Sequence, residues 1–165
     1  MFEIINWPEE LKPSRSPLHF TNELEIKASP ETLWSMVTDT SLWPQFYPGV
    51  REVTQSDGEN ILRLGSEFET TMLEQHIRCT VQEFEPMTRI GWGGGPVGED
   101  CRAYHAWIFT PTANGTHIWM EETMQGPYLI DLAKQAPDMV WQMHEELLVN
   151  IERVAASIES AAARS

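Results

Sequence analysis

The sequence predicts an α+β fold: a strand, two short helices, a series of antiparallel strands and one long closing helix. Three observations predict it. Apolar and polar residues alternate with period two from His19 to Ala28, and strand-like runs recur from Arg51 to Gln125. Turn pairs punctuate those runs, Asp57-Gly58 and Asn114-Gly115 being the strongest hairpin signals. After Gly126-Pro127 the period turns helical, with Val140, Met143, Leu147, Ile151, Val154 and Ile158 in one stripe.

Residues 1–17 read as an N-terminal arm, because Pro8, Pro13 and Pro17 with Ser14 and Ser16 break regular elements there. A single domain is expected over residues 18–163. In its first strand Phe20, Leu24 and Ile26 face one way and Thr21, Glu23, Glu25 and Lys27 the other. Ser29-Pro30-Glu31-Thr32 starts a helix, with Ser29 as N-cap and Pro30 at the first helical position. Leu33, Trp34 and Val37 continue it to about Asp39-Thr40, and a second short helix is expected over residues 41–47. Strands follow at residues 51–56, 61–64, 66–73, 76–85, 89–93, 102–110 and 116–125. Leu129, Leu132 and Ala133 form a short helical stretch, and Pro137 is placed to open the long helix.

Turn parity tests which side chains share a face. With Glu74-Gln75 as a two-residue loop, Phe68 lies opposite Val81 and Thr70 opposite Cys79. With Pro86-Met87 as the next, Val81 lies opposite Trp92 and Glu83 opposite Ile90. An Asn114-Gly115 loop puts Trp107 opposite Glu122 and His105 opposite Met124; a four-residue loop puts Trp107 opposite Met120 and His105 opposite Glu122. Either version of the last hairpin places His105, Trp107, Phe109, Ile118, Met120, Glu122 and Met124 on one inner face. That face is aromatic and Met-rich, yet carries a histidine and a carboxylate.

The 165 residues are 41% hydrophobic and 22% charged, a globular composition. Eleven Lys and Arg against 25 Asp and Glu give a net charge of −14, which argues against nucleic acid and anionic lipid surfaces as partners. No apolar run approaches the ~20 residues of a spanning helix. The first residues have neither the basic nor the apolar stretch of a signal peptide. Cys79 and Cys101 form no C-x-x-C pair, so neither a disulfide framework nor a cysteine zinc site is expected, and a cytoplasmic setting is. The five histidines show no H-x-x-x-H or H-E-x-x-H spacing, so no metal is expected. His19 and His76 are expected in solvent, His117 on the opposite parity from the inner set, and His144 off the main stripe of the long helix.

Several short signatures resemble the SRPBCC (START-like, helix-grip) superfamily, in its polyketide cyclase/dehydrase-like branch. They are Ser29-Pro30-Glu31-Thr32-Leu33-Trp34, Trp43-Pro44 with Tyr47-Pro48-Gly49-Val50, Val81-x-x-Phe84-Glu85-Pro86, His105-x-Trp107-x-Phe109, and Gly115-Thr116 leading to Glu121-Glu122 and Gly126-Pro127. The resemblance runs from residue 18 to about 160. It implies about seven antiparallel strands wrapped around the C-terminal helix, with a hydrophobic ligand cavity between them. It implies no particular reaction, since the superfamily includes cyclases, lipid carriers, chaperone partners and toxin-like proteins.

In such a cavity His105 and Glu122 are the candidate catalytic pair, a carboxylate holding an imidazole for proton transfer in enolisation, cyclisation or dehydration. Phe68, Met72, Trp92, Trp107, Met120, Met124 and Met143 are the candidate ligand-binding residues, with Phe109 and Ile118 as core. The run from Gly91 to Gly98 lacks the Lys and Ser/Thr of a phosphate loop and reads as a mobile loop at the cavity mouth. Three functions follow. The first is cofactor-independent, acid–base cyclisation or dehydration of an aromatic or polyketide-like substrate. The second is a carrier or sensor of a lipid-like metabolite, and the third a chaperone-partner or interaction module. The expected partner is a hydrophobic small molecule, without nucleic acid or membrane insertion and with room for a homodimer.

Overall fold

A computed structural model describes residues 4–165, so Met1, Phe2 and Glu3 of the expected arm lie outside the described residues. Seven antiparallel strands form one sheet: β1 (Leu18–Ile26), β2 (Val53–Gln55), β3 (Glu67–Met72), β4 (Gln75–Glu85), β5 (Arg89–Pro96), β6 (Arg102–Thr112) and β7 (Gly115–Gln125). Their order across the sheet is β1-β7-β6-β5-β4-β3-β2. Between β1 and β2 lie α1 (Pro30–Thr38) and a 3-10 turn (Thr40–Gln45); α2 (Pro127–Gln135) and α3 (Met139–Ala163) close the chain. The Ser29 side chain caps α1 by accepting from Thr32 N at 3.1 Å, as the sequence pattern requires. The core joins the inner face of the sheet to α1 and α3, with Ile26, Leu33, Met36, Ile90, Ile118, Leu147 and Ile151 almost completely buried.

Three local expectations are corrected. The β3–β4 loop is Leu73-Glu74, so Phe68 pairs with Cys79 and Thr70 with Ile77, two residues from the expected register. Both loop residues have positive φ, 50° and 63°, which a two-residue hairpin of the primed type demands; face parity survives a shift of two. The β4–β5 pair keeps Val81 opposite Trp92, but a bulge at Gln82 puts Glu83 opposite Gly91. The bulge turns Glu83 to the outer face and Phe84 to the inner one, where it meets Trp34 edge-on at 5.2 Å. Residues 61–64 form no hairpin with β2. The Leu62 amide bonds Thr38 O at the end of α1, burying Leu62, while β2 pairs with β3.

Gly91 to Pro96 of the glycine run belong to strand β5 rather than to a loop, with Val97 and Gly98 in the turn beyond it, and Gly94, Gly95 and Pro96 line the cavity from the strand. A side chain on Gly91 would collide with the Tyr104 ring and one on Gly94 with the β4 backbone, so glycine serves close packing there. Residues 4–17 cross the outer face. Ile5 and Leu11 bury against Tyr104 and Ala106, and Thr123 Oγ1 donates to Leu11 O at 2.7 Å. The prolines do not abolish local structure in this arm, since 3-10 turns occupy Glu9–Leu11 and Pro13–Arg15.

Candidate functional site

One cross-strand row carries the chemistry. Phe20 on β1 pairs with Glu122 on β7, Glu122 with His105 on β6, His105 with Trp92 on β5, and Trp92 with Val81 on β4. The β6–β7 loop is Ala113-Asn114, because Thr112 pairs with Gly115, and this gives the register with His105 opposite Glu122. All five side chains point to the inner face. The sheet sets their spacing and α3 covers one end of the row.

From α3 comes His144, whose ring stacks on that of His105 with centroids 4.9 Å apart and planes 17° apart. His144 Nε2 lies 3.0 Å from Glu122 Oε2 and its Nδ1 3.0 Å from Asn22 Oδ1. Asn22 Nδ2 donates to Glu145 Oε1 at 2.6 Å and Trp141 O at 3.3 Å, so the amide oxygen must be the end facing His144. His144 Nδ1 therefore donates to Asn22. His105 Nδ1 lies 3.3 Å from the Tyr47 hydroxyl, and its Nε2 is buried with no partner among the described residues. The expected arrangement, in which Glu122 holds His105, is thus replaced: Glu122 bonds His144, and Tyr47 meets His105.

These groups sit at one end of a cavity of about 140 Å³. Of the candidate ligand-binding residues, Phe68, Met72, Trp92, Met124 and Met143 line it, while Trp107 and Met120 pack in the core and are not on its wall. Trp43, from the 3-10 turn, adds an aromatic wall 5.3 Å from both Phe68 and Trp92. Tyr128, Leu129 and Leu132 of α2 cover the mouth, and α2 contributes no buried residue.

The sequence matches, over residues 17–159, the family described as polyketide cyclase / dehydrase and lipid transport. The chain belongs to this family. It is an SRPBCC protein, and its seven-stranded sheet with the long closing helix is the helix-grip fold of that superfamily. No curated protein matches it in sequence. Among solved structures, the hypothetical protein jhp0584 from Helicobacter pylori superposes with a TM-score of 0.84 at 21% identity, over 94% of this chain and 98% of that one. Ara h 8.0201 gives 0.65 at 16% identity, over 85% of this chain and 98% of that one. DynU16, from the dynemicin biosynthetic locus, gives 0.60 at 14%, over 82% of this chain and 46% of that one. Likeness at these identities is likeness of fold.

Burial controls ionisation in this family member's cavity. It pushes the His105 imidazole down to about 3 against the pull of Glu122, so His105 is neutral at pH 7. Burial also opposes charge on Glu122, but the hydrogen bond from His144 works against it and the carboxyl lies below its ordinary value. Glu122 is then a carboxylate and His144 Nε2 donates to it, which makes His144 a donor at both nitrogens. Burial, then the Glu122 charge, pushes the Cys79 thiol up to about 12, so it is no nucleophile.

Donor atoms of His105, Glu122 and His144 lie within 4.8 Å of one another, although no local spacing announced a metal set. The ring geometry fits an ion poorly. Imidazole binds a metal in its own plane at about 2.1 Å. Two nearly parallel rings with centroids 4.9 Å apart do not aim their in-plane lone pairs at one such point.

His19, His76 and His117 pair with Glu121, Glu69 and Glu23 outside the cavity. His144 was expected off the stripe, but it is 5% exposed. The buried face of α3 runs through His144, Leu147, Leu148, Ile151, Val154 and Ala155, wider than the single line of apolar residues. Asn22 carried a readable signal, a polar residue interrupting the inner alternation of Phe20, Leu24 and Ile26.

Proposed function

We propose that the protein binds an apolar, ring-bearing carbonyl compound in the cavity and catalyses its cyclisation or dehydration by acid–base chemistry, without a cofactor. The observation that carries this reading is the arrangement of His105, Glu122 and His144 at the end of a mostly apolar cavity. A carbonyl placed at His105 Nε2 would bring its α-carbon beside Glu122, whose Oε1 has no partner among the described residues. Glu122 would take the α-proton while His105 bonds the developing enolate oxygen. In dehydration the β-carbon–oxygen bond then breaks, and the departing hydroxide takes the proton from Glu122, leaving an alkene, water and the original carboxylate. In cyclisation the enolate attacks a second carbonyl, and the same proton goes to the new alkoxide. His144, oriented by Asn22, keeps Glu122 ionised between turnovers.

The cavity is near the about 150 Å³ of an apolar cavity that holds benzene. A single ring fits it, and a longer polyketide chain requires α2 to swing outward. Two buried free thiols suit a reducing, cytoplasmic setting.

A second reading, a carrier of a lipid-like metabolite, is favoured by the apolar walls and by the loosely packed α2 over the mouth. Native mass spectrometry of the purified protein, with identification of what is released, separates the two. A ring-bearing carbonyl supports the enzyme, and its conversion should stop in Glu122→Gln while binding persists. A bound fatty acid or isoprenoid supports the carrier. A protein that emerges empty and rejects a broad apolar library overturns both.

A further inference from the structure

At the buried end of the cavity Nε2 of His105, a residue 3% exposed, is a buried ring nitrogen with no partner among the described residues. The other ring nitrogen, Nδ1, faces the Tyr47 hydroxyl at 3.3 Å. A neutral imidazole has two ways to meet that hydroxyl. If Nδ1 held the hydrogen and donated to Tyr47, the hydroxyl hydrogen would face no acceptor among the described residues and Nε2 would be a bare lone pair. That leaves two buried groups unpaired. If Tyr47 donates, Nδ1 accepts, and only Nε2–H remains. Each unmade buried hydrogen bond costs free energy, so the second arrangement prevails. Burial, reinforced by the Glu122 charge, holds the Tyr47 phenol well above its ordinary value, so the hydroxyl keeps the hydrogen it donates.

The remaining N–H needs an acceptor, and the cavity is where a ligand can bring one. Its neighbour in the cross-strand row is the Glu122 carboxylate, already paired with His144, so a second anion would be buried there without a counter-charge. The space beyond is apolar and suits about one ring.

We propose that Tyr47 is a specificity-determining residue: it fixes His105 as an Nε2–H donor, so the cavity selects a one-ring apolar ligand bearing a neutral acceptor, such as a ketone, over a hydrocarbon or carboxylate of similar size. This rests on the small-molecule reading above and gives that ligand a polar end and an orientation, carbonyl inward. Tyr47 acts through His105, so it is a positioning residue in any reaction and a selector in binding.

The test is a calorimetric titration of the full chain with acetophenone, ethylbenzene and benzoate, for the wild type and Tyr47→Phe. In the wild type, acetophenone should bind about tenfold or more tighter than ethylbenzene, since only the ketone pairs the buried N–H, and benzoate should be weakest. In Tyr47→Phe the ketone-over-hydrocarbon ratio should shrink severalfold while ethylbenzene affinity holds. Nitrogen-15 NMR of the wild-type histidines adds a measurement that needs no variant, with the His105 hydrogen expected on Nε2. A hydrogen on Nδ1, equal affinity for ketone and hydrocarbon, tightest binding of benzoate, or a ratio unchanged by Tyr47→Phe would each overturn the assignment. Equal affinities would leave the small-molecule reading standing, whereas failure of all three compounds to bind would remove both.

Discussion

The sheet buries a carboxylate on each face, and the two are held differently. On the outer face, Glu83 is 7% exposed and accepts at both oxygens: Asn6 N donates to Oε2 at 3.1 Å and Asn6 Nδ2 to Oε1 at 2.9 Å, while Arg89 Nε forms an ion pair 3.1 Å from Oε1. Its counter-charge is the guanidinium of Arg89, and the N-terminal arm covers it. On the inner face, Glu122 has a histidine partner on one oxygen and open cavity at the other. Its row neighbour His105 has a ring nitrogen unpaired among the described residues. A carboxylate held at both oxygens by the arm and faced by a permanent cation ties a segment down. One paired with imidazole and left half-satisfied costs stability, and that cost is retained where a ligand completes the set.

Isosteric amides break the comparison most sharply. Glu122→Gln should lower turnover of a carbonyl substrate by ~10²–10⁴-fold, the usual contribution of a positioned general base, with ligand affinity changed little. Glu83→Gln should leave turnover unaltered and destabilise the protein by ~2 kcal/mol, because Arg89 loses its buried counter-ion but remains partly in water. Kinetics and urea unfolding on both variants check this. Equal losses of activity would mean that both carboxylates are structural.

Acid should act on the inner face. The folded His105 resists protonation down to about 3, whereas the unfolded side chain protonates near 6.5. Between those values the unfolded state binds the extra proton, so stability falls as pH falls through that window, by ~5 kcal/mol at most. Glu122, lowered in the fold, loses its own contribution in the same direction as pH drops through its folded value. Stability measured from pH 7.5 to 4.5 should therefore decline less steeply in His105→Gln than in the wild type. Parallel curves would show that His105 is not neutral and buried in solution.

The arm offers the converse test. Leu11→Ala removes a side chain 4% exposed from the outer cluster and should cost ~2–3 kcal/mol by unfolding. Ligand affinity should not move, because the sheet separates that cluster from the cavity. A parallel loss of affinity would mean that the two faces are coupled.

Legibility in the sequence follows the same division. Period-two alternation and hairpin parity brought His105 and Glu122 to one inner face, because strand side chains alternate strictly and a register error of two residues leaves parity intact. Contacts between that face and the helices were not legible. His144 lies on a helical face too broad to show as one line of apolar residues, and Asn22 acquires meaning only when α3 supplies its partners. Tyr47 follows a 3-10 turn containing Pro44, where no period reports direction. The glycines of β5 have no side chains, so alternation was silent and the run resembled a loop.

The smallest expected effect lies in the two β-turns whose sequences misled. Leu73-Glu74 has φ of 50° and 63° with neither glycine nor asparagine, and Met87 in the β4–β5 turn has φ of 65°. An L-residue in the left-handed region costs roughly 1–2 kcal/mol, while glycine gives back roughly 0.5–1 kcal/mol through the freer unfolded chain. The net gain from Glu74→Gly should be ~0.5 kcal/mol, and Met87→Gly should give a similar gain less any packing lost by the half-buried methionine. Glu74→Gly also strengthens the turn that sets the β3–β4 register. If the strands instead preferred the register with Glu74-Gln75 at the turn, Gln75 would hold the second loop position, the one Gly favours in a type I′ turn, and Gln75→Gly would stabilise more than Glu74→Gly. Thermal unfolding of the two single variants decides it, and Gln75→Gly should destabilise, because Gln75 is a paired strand residue opposite Met72.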